Sequence, residues 1–169
     1  MNGQRRGAAI AMTAGECDTF LRSQPVCRVA TVGPAGRPHA SALWFVWDGA
    51  ALWLNSLIRS RRWADLARNP QLSVVVDDGG TDFGRLRGVE LTGAVEVVGE
   101  IPRVGEPVAA LAGPERLFAD KYGGGGEFRY DGRHGWLRLR PGTVVSWDFA
   151  KLRGGDRSRR PDGNLPSEN

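Results

Sequence analysis

Three arginines and two serines fall within eight residues, Asn55-Ser56-Leu57-Ile58-Arg59-Ser60-Arg61-Arg62, followed at once by Trp63. Guanidinium groups make charge-assisted, often forked, hydrogen bonds to phosphate oxygens. Apolar residues then recur at Trp63, Leu66 and Ala67, so the cluster opens a short helix that Asn69-Pro70 stops. A helix start offers free backbone N–H groups and the positive end of a dipole, which favour an anion. Ser60 can cap the helix and donate to that anion. Together these features fit a phosphate clasp at Ser60, Arg61 and Arg62. A capped surface helix with solvated arginines accounts for the same residues.

No self-contained catalytic set accompanies this cluster. The two histidines, His39 and His134, lie in no zinc-ligand spacing, and neither a Gly-x-Ser-x-Gly elbow nor a Walker loop occurs. Both histidines read as polar rim residues. Cys17 and Cys27 form no Cys-x-x-Cys pair and read as small buried hydrophobes in a reducing compartment. No catalytic residue is assigned and no metal is expected. An enzyme of this composition would rely on a bound cofactor for its chemistry. The formal net charge of +4, carried mostly by arginine, favours anionic ligands without naming one.

The elements that must position the cluster read as mainly β. Thr13 and Glu16 make a capping box for a helix over 14–23. Strands are expected over Cys27–Val32, Pro38–Trp47, Ala51–Ser56, Leu72–Val76, Arg87–Val98, Trp136–Arg140 and Thr143–Phe149, with a further helix over Glu115–Tyr122. Short turns join most of them, as in an antiparallel, six-stranded split β-barrel with small helices. Gly93 should mark a bend in the longest strand. Ala42–Trp47 is apolar at nearly every position, so both faces should be covered, one of them by a second subunit. Trp53 and Trp136 read as core. Lys121-Tyr122 before Gly123–Gly126 could form a lid, although a plain flexible loop fits as well. Residues 1–12 read as a loose arm, 13–152 as the domain and 153–169 as a disordered tail. No apolar run reaches the ~18 residues of a membrane span, and a cytoplasmic protein is expected. The aromatics lie within apolar runs rather than among basic residues, which argues against nucleic acid as a partner.

The segment from about Arg28 to Gly99 resembles the pyridoxamine 5′-phosphate oxidase-like family of FMN- and F420-binding split barrels. Val29-Ala30-Thr31-Val32, a turn and Gly36-Arg37-Pro38 resemble its opening hairpin. Ala42-Leu43-Trp44-Phe45 resembles the strand along the cofactor ring. Ser60-Arg61-Arg62, then Leu66 and Asn69-Pro70, resembles its Ser-Arg-Lys phosphate motif. Val89–Glu96, with Gly93, follows in order, and Trp136–Pro141 with Ser146-Trp147-Asp148 resembles its last strands.

The resemblance implies roles. Arg61 and Arg62 would hold the cofactor phosphate, with Ser60 at the cap and Asn55 and Ser56 beside the phosphate or ribityl chain. Ser41, Ala42, Leu43 and Trp44 would border the ring system. Arg59, Arg85 and Arg87 could serve the acidic tail of F420. Relatives that oxidise pyridoxamine phosphate carry an arginine where Ser41 aligns and end in an Arg-Leu-His-type motif; this chain has neither. The Leu43–Gly49 run resembles the F420-using branch more closely. The resemblance therefore implies an FMN- or F420-dependent oxidoreductase, a homodimer with its site between subunits, moving a hydride to or from a small organic substrate. The alternative is a non-enzymatic barrel that holds a flavin, haem or other ligand.

Overall fold

The computed structural model describes residues 7–154. The expected disordered tail beyond 154 and residues 1–6 of the expected arm lie outside the described residues. Helix α1 (Ala14–Ser23) begins as its capping box dictates: Glu16 N–H donates to the Thr13 hydroxyl, and Thr13 N–H donates to the Glu16 carboxylate at 2.6 Å. The remaining helices are α2 (Arg61–Leu66) and α3 (Ala112–Tyr122). The strands are β1 (Cys27–Val32), β2 (Pro38–Leu43), β3 (Phe45–Trp47), β4 (Leu52–Leu57), β5 (Gln71–Asp77), β6 (Arg87–Val98), β7 (His134–Leu139) and β8 (Thr143–Asp148).

Every pairing is antiparallel, in the order β2-β1-β5-β6-β7-β4-β3, with β8 also on β6. Strand β6 is the spine. Its first part pairs with β5 and β8, and its last four residues pair with β7. Gly93 sits where β7 hands over to β8: a Cβ there would lie 3.2 Å from both the Arg140 carbonyl and the Gly142 nitrogen. Gly88 serves a similar purpose, since a Cβ there would lie 2.1 Å from the Trp147 ring.

The split-barrel architecture agrees with the sequence reading, but the strands number eight because Pro38–Trp47 is not one strand. It breaks at Trp44. Strand β2 ends one side of the sheet order and β3 the other, so the chain itself closes the barrel at the break. No position of β2 is fully buried, whereas Phe45 and Val46 of β3 are. Phe45 enters the barrel core with Leu52, Leu54, Val74, Leu91 and Leu137. Val46 faces a second cluster outside the barrel, with Trp53, Trp136, Leu111 and, at its edge, Phe118 and Tyr122 of α3. The second cover over β3 is therefore α3 of the same chain. Helix α3 starts at Ala112, three residues before its expected first residue, because Pro114 falls in the first turn, where a missing N–H costs no helical bond.

Part of the expected loose arm is held. Met12 N–H donates to Ser146 Oγ at 3.0 Å, and Lys151 Nζ donates to the Ala11 carbonyl at 2.8 Å. Among the described residues, no helix is long and apolar enough to cross a membrane.

Candidate functional site

Alternation along β4 puts Leu54 and Ser56 inside the barrel and Trp53 and Asn55 outside. On that outer side, where β2 breaks into β3, lies a cavity of about 620 Å³. Ala42, Leu43, Trp44 and Asn55 line one wall, α3 supplies Phe118 and Tyr122, and the segment 127–131 with His134 closes the rest. A cavity of this size is within the usual range for small-molecule sites.

Trp44, 53% exposed, stacks on Tyr122 with centroids 4.6 Å apart and planes 5° from parallel. Phe118 packs against Tyr122 and Phe128, and Phe128 against Tyr130. The stack is held from behind. The Tyr122 oxygen accepts from Phe45 N–H at 3.0 Å, and its hydroxyl faces the Pro25 and Phe45 carbonyls at 2.8 and 2.7 Å. Lys121 Nζ donates to the Phe45 carbonyl at 3.1 Å and lies 4.2 Å from the Phe45 ring centroid. Burial pulls the Lys121 ammonium down to about 8 and pushes the Tyr122 phenol up to about 12. Lys121 and Tyr122 are thus the tethered last turn of α3, not a lid.

Two polar features face the aromatic wall. Asn55 Nδ2 is buried without a hydrogen-bond partner; an amide in that position has donors to offer a ligand. On β7, the strand paired with β4 and two residues from Asn55's partner Trp136, His134 Nδ1 lies 2.7 Å from Asp131 Oδ2. Asp131 is itself fixed by its own turn, accepting from the N–H groups of Arg133 and His134. Burial opposes ionisation of Asp131, but these hydrogen bonds, with His134 and Arg133 beside it, hold its carboxyl below the ordinary value. Behind the rim, Arg103 donates to both Glu115 oxygens and to Glu100, and Tyr130 and Trp136 also donate to Glu115.

The sequence-derived site residues divide into three groups. Ala42, Leu43, Trp44 and Asn55 line the cavity. Ser41 and Ser56 sit on the same two strands but carry their hydroxyls into the interior, where Arg62 bridges them. Its guanidinium donates to Ser41 Oγ at 2.6 Å and to Ser56 Oγ at 3.0 and 3.3 Å. Arg62 was expected as an exposed fork for phosphate; it is 5% exposed and clasps β2 to β4 across the split, where no ladder joins them. Burial lowers its pKa. The aliphatic length of the side chain lets a residue on the first turn of α2 reach inward, which one-dimensional spacing does not reveal.

The third group lies outside the cavity lining. Arg61 is 52% exposed, its Nε 3.9 Å from Asp65, whose other contact is the Thr31 hydroxyl. Ser60 caps α2, accepting from Trp63 N–H and donating to the Leu57 carbonyl. Arg59 is exposed on the adjoining turn, and Ile58 N–H donates to the Arg133 carbonyl at 3.1 Å, so this turn abuts the His134 rim. Arg87 is elsewhere. It pairs with Asp78 at 2.9 Å, lies over the Phe20 ring and borders a smaller hollow of about 350 Å³ beside α1. Arg85 is likewise exposed and beside Asp82. These two arginines do not join the cavity within one chain.

Sequence reasoning missed Arg103, Phe118, Phe128, Tyr130, Asp131 and His134 as one wall. The signal was the run of aromatics on both sides of Gly123–Gly126, ending in Asp131-Gly132-Arg133-His134, a turn that aims a carboxylate at an imidazole.

The sequence pattern of the pyridoxamine 5′-phosphate oxidase family matches residues 13–148. The chain belongs to this family. Its fold is shared with the conserved hypothetical protein Rv2991 of Mycobacterium tuberculosis, at 28% identity and a TM-score of 0.74 over 97% of this chain and 98% of that one. An F420 reductase is similar at 26% identity, with a TM-score of 0.56 over 75% and 94% of the two chains. The haem storage protein HutZ from Vibrio cholerae shares the fold at 17% identity, with a TM-score of 0.62 over 78% and 93%. No curated protein matches the chain. The family membership and the cavity agree: an unpartnered amide beside a flat aromatic wall suits a planar heteroaromatic ring with acceptor atoms at its edge.

Proposed function

We propose that this protein binds a flavin-type cofactor, FMN or the deazaflavin F420, in the cavity beside Trp44 and Asn55, and acts as an oxidoreductase on a small organic substrate. The observation that carries the reading is the orphaned Asn55 amide facing an aromatic-walled cavity at the split of a family barrel. Asn55 would donate to the ring edge or the ribityl chain. Trp44 and the backbone of Ala42 and Leu43 would border the ring. Arg59, exposed on the turn that abuts the rim, and Arg61, exposed at the start of α2, would meet the phosphate, while Arg62 positions the two strands through Ser41 and Ser56. When bound, the cofactor supplies reversible hydride transfer; the chain supplies binding, orientation and exclusion of water. The F420 reductase similarity supports the deazaflavin, and the site would lie between two copies of the chain in a cytoplasmic homodimer.

Fluorescence titration of FMN and F420 into wild type, Asn55→Leu and Arg61→Ala tests this. Arg61→Ala should bind roughly tenfold more weakly, about 1.4 kcal/mol, and Asn55→Leu by at least as much, with both melting like wild type. Equal affinity in all three proteins sinks the assignment of the cavity. A haem-binding module is the second reading. It is favoured by His134, whose Nδ1 faces a carboxylate and whose Nε2 is left for another partner; haemin titration with a Soret readout distinguishes it.

A further inference from the structure

We propose that His134, held by Asp131, is the proton donor and acceptor of this site. The inference rests on the flavin-type reading above. Both residues line the cavity. An ionised carboxylate can only accept, so the 2.7 Å contact puts a proton on Nδ1 and leaves Nε2 as the exchanging position. Asp131 is fixed by backbone N–H groups of its own turn, and the His134 backbone is fixed in β7 and by Arg103 N–H, which donates to its carbonyl at 2.7 Å. The ring is 28% exposed, which is enough to regain a proton from water. The other charged groups around it are Arg133 beside Asp131, Glu127 and Arg129 on the preceding segment, and Arg103, whose charge is met by Glu100 and Glu115.

The apolar, aromatic wall with a proton-exchanging imidazole at its edge suits a conjugated carbonyl or quinone. Reducing a quinone to a hydroquinone takes two electrons and two protons. A bound, reduced flavin-type cofactor would supply a hydride, which is two electrons and one proton, and would be the two-electron reductant of the exchange. The second proton passes from the imidazolium Nε2–H to the quinone oxygen that accumulates charge. The imidazole left behind is reprotonated by solvent. Donation of this kind contributes typically 10²–10⁴-fold.

The chain has two histidines, so His39 on β2 serves as an internal control. In the full-length protein, adding FMN or F420 should shift the ring NMR resonances of His134 and leave those of His39. In anaerobic single turnovers, with cofactor reduced beforehand and menadione as the probe acceptor, His134→Gln should slow oxidation by ~100-fold or more. Cofactor affinity should stay within about threefold, a difference below half a decade. The wild-type rate should fall with rising pH, and that dependence should vanish in His134→Gln. An unchanged rate overturns the proposal, and so does cofactor binding that leaves the His134 resonances unmoved. Loss of cofactor or gain of a haem signal that depends on His134 makes it a ligand instead, which also overturns the proposal. Failure of wild type to bind either cofactor sinks the flavin reading, and this proposal with it, before any variant is made.

Discussion

Two arginines are buried to nearly the same depth, Arg62 at 5% and Arg103 at 4% exposure, yet they are compensated in opposite ways. Arg103 sits among carboxylates: both oxygens of Glu115, one of Glu100, the Glu106 carbonyl and the face of Tyr130. Those partners drive its pKa up. Arg62 has two serine hydroxyls, and among the described residues no carboxylate is hydrogen-bonded to it; burial drives its pKa down. A buried cation neutralised by its own chain is a structural tie. One held only by hydroxyls keeps a positive potential directly under the strand ends, Ala42–Trp44 and Asn55, that line the cavity. The difference separates a tie whose charge is met by carboxylates from one, across the split between β2 and β4, whose charge is met only by hydroxyls.

The contrast is broken most severely at Arg103. Arg103→Ala leaves Glu115 buried with its main charge partner gone, and should cost about 3–5 kcal/mol of stability, read as a lower urea midpoint with unchanged slope. A cost under about 1 kcal/mol, the range of surface pairs, would show that the network adds little. Arg62→Met keeps most of the packed stem but removes a cation that no carboxylate balances. Its stability cost should be nearer 1 kcal/mol, since lost hydrogen bonds are partly offset by relieved desolvation. FMN or F420 affinity should fall by a larger factor than stability predicts. Equal stability losses in the two variants would erase the distinction.

The smallest effect sharpens the comparison by pH. Glu100 accepts from Arg103 and from the N–H groups of Val104, Gly105 and Glu106. Burial opposes its ionisation, but these donors bring its carboxyl from 4.5 to about 2. A carboxylate with a lowered folded-state pKa binds fewer protons folded than unfolded. Its contribution is therefore present above the unfolded value and lost as pH falls toward the folded one. Wild type should lose stability between about pH 4.5 and pH 2, and Glu100→Gln should lose less over the same interval in thermal melts. Identical acid profiles would remove Glu100 from the Arg103 network.

Much of the barrel could be read along the chain. The strands Cys27–Val32 and Arg87–Val98 and the capped helix α1 match their expected bounds, because alternation and capping are local signals. The break at Trp44 is not local. An apolar run fits a doubly covered strand, and only the arrival of α3, whose Tyr122 stacks on Trp44 and whose side chain binds the Phe45 backbone, decides that the run divides.

The same limit applies to the site. Residue types and order alone carried the family resemblance, and it was that resemblance which pointed to the strand ends Ala42–Trp44 and Asn55. Tertiary structure alone decided that Arg62 turns inward to Ser41 and Ser56 while Arg61 stays outside, that Arg87 lies beside α1, and that the Asp131–His134 turn lines the same cavity as Asn55 and α3. Burial and charge pairing depend on which distant segments pack together. Barrel closure brings β2, β4, β7 and α3 to one place, and no periodicity within any of them carries that information.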